Sequence, residues 1–435
     1  MSPDVTIVGG GLAGTEAALV LARSGLQVLL CEMRPGTPTP AHESADLAEL
    51  VCSNSLRAED PLIAAGLLKE ELRQLESPLL AEAEVHRVPA GAALAVDRGA
   101  FARALTGMVE ANPAITVQRR EVTELPTGLA ILAPGPLASS SLMAAVEQLV
   151  GQDRLFFFDA IAPIIDAESL DRTRLFEATR HDKGDPDYLN VALDRTAYLR
   201  FVEELLAGEQ VVPHGFDSAD KLPLFQGCQP IETIADGGPL SLAHGPMRPA
   251  GFEGNPLGRN LFAVVQLRSE NRACTAYNMV GFQTRLKQAE QRRVFRLLPG
   301  LEKAEFLRYG SLHRNSYIDG PRLLQRDLSL RAAPHLYVAG QFAGGEGYVE
   351  SIALGHLAAR CVLDRVAGRE PRIPPEETAL GAIHYHVTAA TEEPLQPSHV
   401  HWGLFPSVPA RGKKARRDLM LKRARESLHQ WLKST

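Results

Sequence analysis

Val5 to Val8 is a short β-branched run, which predicts a strand buried in a parallel sheet. Glycines follow, and then Ala17, Ala18, Leu21 and Ala22 recur at helical spacing. Gly25 closes that helix, Val28 to Cys31 reads as a second strand, and Glu32 stands at its end. Further on, Asp97-Arg98-x-x-Phe101 opens an amphipathic helix, and Ile115 to Gln118 and Leu129 to Pro134 read as strands. Near the far end, Leu336 to Gln341 predicts a strand running into a loop with Gly344, Gly345 and Gly347, and Tyr348 to Arg360 predicts a helix. Between about 159 and 325 the alternation stops, and two amphipathic helices are expected, Ala197 to Leu206 and Thr284 to Leu297. The prediction is an α/β fold: a first domain over residues 1–158, an insert over 159–325, the first domain resumed over 326–410, and a helix over 411–435.

Composition adds little to this picture. The chain has 435 residues, 45% hydrophobic and 23% charged, as in ordinary globular proteins. No run is long and apolar enough to cross a bilayer, and Asp4 and Glu16 spoil a signal-peptide reading, so export and membrane partners are not expected. The five cysteines contain no C-x-x-C pair, which argues against a zinc knuckle or disulfide framework, and no metal is expected. A reducing cytoplasm fits. Charge is more informative. The net is −6, yet residues 411–435 hold nine basic residues against two acidic ones. Such a tail is either a phosphate-docking site or a solvated helix face.

Gly9-Gly10-Gly11-Leu12-Ala13-Gly14 contains G-x-G-x-x-G between a strand and a helix. Gly9 allows the tight turn, Gly11 admits a pyrophosphate, and Gly14 lets the helix press on the strand. The helix N-terminus offers N–H groups to phosphate. Glu32, 18 residues after Gly14, is placed to accept ribose hydroxyls, and its charge disfavours a 2′-phosphate. FAD or NAD is therefore expected. The second strand–glycine–helix element, with Gly340, Gln341, Gly347 and Tyr348, resembles the two-part FAD site of glutathione-reductase-like flavoproteins. That likeness favours FAD.

Two cysteines sit in turn-like sequence, Cys52 in Val51-Cys52-Ser53-Asn54-Ser55-Leu56-Arg57 and Cys228 in Phe225-Gln226-Gly227-Cys228-Gln229-Pro230-Ile231-Glu232. Spacing alone leaves them readable as packing residues. Taken together, however, the N-terminal glycine motif, Cys52-Ser53-Asn54-Ser55, Gly227-Cys228-x-Pro230-Ile231-Glu232, His313-Arg314-Asn315 and Ala339-Gly340-Gln341 through Ser351 make the chain similar to the folate- and FAD-dependent tRNA (uracil-5-)-methyltransferases. The resemblance runs to about residue 405. It implies methylation of C5 of the T-loop uridine, tRNA position 54, with methylenetetrahydrofolate as carbon donor. Reduced FAD would carry the methylene and supply hydride, with NAD(P)H as reductant. It also implies Cys228 as the nucleophile that adds to uracil C6, Cys52 as an assistant, and His313 stacked on the pterin.

The chemistry is sound, because a thiolate on C6 turns the poorly nucleophilic C5 into an enolate carbon. Such a thiolate needs a nearby cation, for which Arg57 and Arg314 are the sequence candidates. The target base must leave its stack. In the tail, Arg416, Arg417, Arg423 and Arg425 are the expected phosphate contacts. Rival readings are the related wobble-uridine-modifying flavoprotein, a small-molecule FAD oxidoreductase, and a non-catalytic flavin-containing RNA-binding protein. No protein partner is evident.

Overall fold

A computed structural model describes residues 3–151, 155–182, 186–212, 229–252, 261–389 and 394–434. Two hydrophobic cores organise them. The first is built around a six-stranded sheet in the order Ser329–Leu330, Ala333–Val338, Ala130–Leu132, Val5–Val8, Val28–Glu32, Ile115–Arg119. All neighbours are parallel except the short edge strand Ser329–Leu330. Residues such as Ile7, Leu30 and Ile131 are fully buried, as a sheet covered on both faces requires. The helices Leu12–Arg23 and Tyr348–Val366 pack side by side on it. Because the chain runs from Val5–Val8 outward through Val28–Glu32 to Ile115–Arg119 and then crosses to Ala130–Leu132 on the other side, the strand order reverses there, and ligands of such sheets bind outside the carboxyl ends at that point.

The second core holds a six-stranded antiparallel sheet drawn from residues 164 to 308, in the order Leu175–Glu177, Tyr188–Leu193, Ala263–Ser269, Ala276–Met279, Ile164–Asp166, Phe306–Arg308. Helix Arg195–Leu206 covers it with Tyr198, Phe201 and Leu205, and Asp194 caps that helix by accepting the Ala197 N–H at 2.8 Å. The expected helix over 284–297 is shorter, Gln288–Phe295. Its predicted first turn is extended instead, because buried Glu232 accepts the Arg285 N–H at 2.6 Å and the Thr284 hydroxyl at 3.0 Å, while Leu286 pairs with Gln210. The chain passes between the two cores along one antiparallel ribbon, Leu155–Ile161 with Ser311–Tyr317.

The basic tail forms the helix Lys413–Lys433. Met420, Leu421, Ala424, Leu428 and Trp431 are buried against the first core. Among the described residues no helix is long and apolar enough to cross a membrane.

Candidate active site

The N-terminal glycines form a cradle at the strand-order reversal. Gly9 has φ +104°, and a Cβ there would lie 2.2 Å from the Ala133 carbonyl oxygen. A Cβ on Gly14 would come within 1.9 Å of the Gly9 carbonyl oxygen, so helix Leu12–Arg23 can close on the strand only with glycine at that place. Beside Gly11, by contrast, there is open space. No side chain caps the helix at Gly11, so its first-turn N–H groups face that space. A cleft of about 1000 Å³ runs from here, lined by Gly9, Gly11, Leu12, Ala13 and Glu32 at one end and by Gly340, Gln341 and Tyr348 at the other. Gly10 and Gly14 belong to the turn behind it.

Glu32 is buried, and both of its carboxylate oxygens are held in place. One carboxylate oxygen accepts the Gly10 N–H at 2.8 Å, and the other accepts the backbone N–H and Nε of Arg34 at 3.0 and 2.9 Å. Burial opposes its charge, but the Arg34 guanidinium and these donors more than offset it and hold the carboxyl below its usual range. Arg34 is fixed in turn by Glu49 at 3.2 Å. Sequence reading missed this clamp, although an arginine two residues past the strand-end acid was there to be seen.

A second cavity, of about 1020 Å³, adjoins the cleft and shares Val51, Pro136, Leu137, Gln341 and Tyr348 with it. Cys52, Ser53, Arg57, Gln283, Asn315 and Gly347 line it. Side chains brace the Cys52 loop from several directions. The Tyr348 hydroxyl oxygen accepts the N–H groups of Cys52 at 2.8 Å and Ser53 at 3.1 Å. Burial, and then the neighbouring Cys52, push the Tyr348 phenol above its usual range, so it stays neutral. Arg98 donates to the Leu50 carbonyl at 2.9 Å. Asn54, fully buried, donates to the carbonyls of Val96 and Ser269 at 3.0 and 2.9 Å and accepts from Arg268 Nε at 2.9 Å. Lys69, also buried, donates to the Leu56 carbonyl at 2.8 Å.

Arg57, one of the two expected cations, sits at φ +69° and pairs with buried Glu350 at 3.1 Å. Arg98, which the sequence offers only as the start of an amphipathic helix, is a second arginine bound to this loop, its side chain 15% exposed.

Cys228 lies outside the described residues. The motif that contains it is anchored three residues on, where the Ile231 N–H donates to the Gln283 carbonyl at 2.7 Å. Gln283 is part of the cavity wall. The His313 backbone pairs with Asp159 on the ribbon, and its side chain, like that of Arg314, lies outside the described residues. Asn315, two residues along the strand, lines the cavity.

The four tail arginines are not equivalent. Arg416 is exposed and Arg417 half-buried. Arg425 makes two bonds of 2.7 Å to Glu70, and Arg423 donates to the carbonyls of Pro406 and Ser407. Among the described residues no cluster of three metal-ligating side chains occurs.

The family model described as glucose inhibited division protein A matches residues 4–370. A methylenetetrahydrofolate–tRNA-(uracil-5-)-methyltransferase, TrmFO, of Anaeromyxobacter dehalogenans (strain 2CP-1) is 52% identical over 99% of this chain and 96% of its own length. The TrmFO of Geobacter sulfurreducens is 49% identical, covering 99% of both chains. This chain belongs to the TrmFO family. Among solved structures, Aquifex aeolicus GidA in its form I crystal superposes with a TM-score of 0.70 at 16% identity, covering 99% of this chain and 77% of that one. That likeness concerns the fold, a glutathione-reductase-like dinucleotide domain with an insert. In this TrmFO-family chain the cradle suits FAD: open space beside Gly11, uncapped helix N–H groups and an oriented carboxylate at the strand end.

Proposed function

We propose that this chain methylates C5 of uridine 54 in the T-loop of tRNA, with methylenetetrahydrofolate as the carbon source. One observation carries the reading. The cavity holding Cys52 opens into the dinucleotide cleft, and the Gly-Cys-x-Pro-Ile-Glu motif is tied to its wall at Gln283. A thiol chemistry and a flavin chemistry therefore occupy adjoining spaces with a common wall.

When bound and reduced by NAD(P)H, FAD would supply a carrier for the one-carbon unit and the hydride that completes the methyl group. Gly9 to Gly14 with Gly340 hold its pyrophosphate end, and Glu32 holds its ribose. Gln341, Gly347 and Tyr348 form the boundary between cofactor and substrate. Cys228 adds to uracil C6 and leaves when the C5 proton has gone. Cys52, on its braced loop, removes that proton. His313 covers the folate pterin. Arg416 and Arg417 contact RNA phosphates, with Arg423 and Arg425 chiefly fixing the helix that presents them. The setting is the cytoplasm, where unmodified tRNA and folate are found, and the domain division is a flavin domain interrupted by an insert whose sheet is drawn from residues 164 to 308, narrower than the expected 159–325 because Ile318 and Leu324 pack in the first core.

The test is a T-arm RNA carrying 5-fluorouridine, incubated with the flavin-loaded protein and folate and run on a denaturing gel. A covalent band with wild type that Cys228→Ala abolishes is the expected result. Equal bands in both proteins, or none in either, would remove Cys228 from the reaction. Label transferred to tRNA from S-adenosylmethionine in place of the folate would overturn the donor.

A further inference from the structure

The Asp97-Arg98 pair does more than open a helix of the flavin domain. Asp97 caps helix Arg98–Glu110 by accepting the Ala100 N–H at 3.0 Å. Arg98, the first helical residue, turns its guanidinium outward to two places. One N–H group holds the Leu50 carbonyl, two residues before Cys52, at 2.9 Å. Two others hold Glu270 Oε2, from the inserted segment, at 3.1 and 2.8 Å. The Arg98 side chain is 15% exposed and that of Glu270 7%.

The pairing is lopsided. A strong arginine–carboxylate pair uses both oxygens in parallel. Here a single oxygen receives both bonds, and Glu270 Oε1 is buried without a hydrogen-bond partner among the described residues. An orphaned buried oxygen lowers stability, so the pair is poorly explained as a structural rivet. Its location offers a better account. Inside a protein a charge is weakly screened, and a cation beside a thiol favours the thiolate. Burial opposes the Arg98 charge, but pairing with Glu270 more than offsets it.

Other charged groups around the cavity are less well placed to do this. Arg57 lines the cavity itself and is likewise paired, with Glu350, but its side chain is 37% exposed, where solvent screens its charge. Lys69 is turned to the Leu56, Arg57 and Ala65 carbonyls. Across the cavity, Glu346 accepts from Gln341, and His399 bonds the Glu346 carbonyl at 2.8 Å, its charged form disfavoured by burial. Tyr348 is neutral.

We propose that Arg98 is the positioning cation of Cys52, holding the thiol as thiolate, and that Glu270 of the insert sets how much of that positive charge Cys52 feels. The idea rests on the reading that Cys52 takes part in the reaction, but its test does not use the reaction. Any shift of the insert that loosens Glu270 from Arg98 raises the thiolate fraction. The same insert contributes Arg268 and Ser269 to the Asn54 contacts, so it meets the Cys52 loop at a second place.

The experiment follows alkylation of Cys52 by iodoacetamide in the full, flavin-loaded protein, across roughly pH 6 to 10, with the Cys52 peptide resolved from the other cysteines by mass spectrometry. Arg98→Gln is expected to slow Cys52 at neutral pH about tenfold and move its profile up by about one pH unit. Glu270→Gln is expected to do the opposite, speeding Cys52 severalfold, and Arg98→Lys to stay near wild type. The opposite signs are decisive, because mere loosening of the loop would drive both variants the same way. Changes in one direction, or an unmoved profile in Glu270→Gln, overturn the proposal. Should Arg98→Gln fail to retain flavin, Glu270→Gln must still move the midpoint of the Cys52 profile to lower pH, which loosening of the loop, a change of access at every pH, does not do; an unmoved midpoint overturns the proposal. Failure of the Cys228 adduct assay would leave this result untouched.

Discussion

The dinucleotide cradle and the Cys52 loop lie side by side, yet they are built from different materials. The cradle is backbone: its shape follows from where glycines allow close approach, and its donors are N–H groups of one helix turn. The loop is held by side chains, Tyr348, Arg98, Arg268, Asn54 and Lys69, each coming from its own part of the chain. A backbone site is set by local sequence and, at Gly9 and Gly14, tolerates no added atom. A side-chain site is set by tertiary contacts and can be retuned one bond at a time.

The contrast can be broken most severely at Gly14. Gly14→Val places carbon where the Gly9 carbonyl already stands, and overpacking of this kind costs about 1–3 kcal/mol or more. Purified protein should lose at least about tenfold of its bound flavin by absorbance. Full flavin occupancy would show that the turn is softer than described.

Asn54→Ala should leave the cradle intact and damage the loop. It strands Arg268 Nε and two buried carbonyls, at roughly 2–3 kcal/mol, visible as a lower midpoint in urea with flavin still bound at the start. Tyr348→Phe is gentler. It removes the acceptor for two N–H groups of the loop, so kcat for tRNA methylation should drop about tenfold while flavin content is retained. Parallel loss of flavin and turnover would mean that loop and cradle are one unit, against the distinction drawn above.

The smallest effect is expected at the tail. Arg416→Gln with Arg417→Gln should weaken tRNA binding and flatten its salt dependence by about one unit of slope per lost phosphate contact. Arg423→Gln with Arg425→Gln should mainly lower stability, by about 1 kcal/mol or less, since those side chains already bond Pro406, Ser407 and Glu70. Equal slopes for both pairs would falsify the division of labour along the helix.

The same contrast explains what could be read from the sequence. Strand Val5–Val8, the glycines, helix Leu12–Arg23 and Glu32 were legible because each rule involved spans a few residues. The second glycine element was legible for the same reason, although 300 residues away. Arg34 was missed because its value lies in meeting Glu49, and Arg98 was under-read because its partners, Leu50 and Glu270, are remote. The helix expected from Thr284 lost its first turn to the carboxylate of Glu232, a competitor 52 residues away that periodicity does not see. In the tail, charge counting found the helix but could not separate arginines facing solvent from those bonded to the body.

The ribbon of Leu155–Ile161 and Ser311–Tyr317 has an evolutionary consequence. Ile161 and Ser311 face each other as paired residues, so the insert begins and ends at a single doorway. Modules attached in this way are exchangeable: a lineage can enlarge, trim or replace everything beyond the doorway while the nucleotide fold behind it keeps its architecture. What such an exchange would forfeit is the fit of segment 268–270 to the neighbouring loop, so new substrate ranges would have to evolve together with that seam.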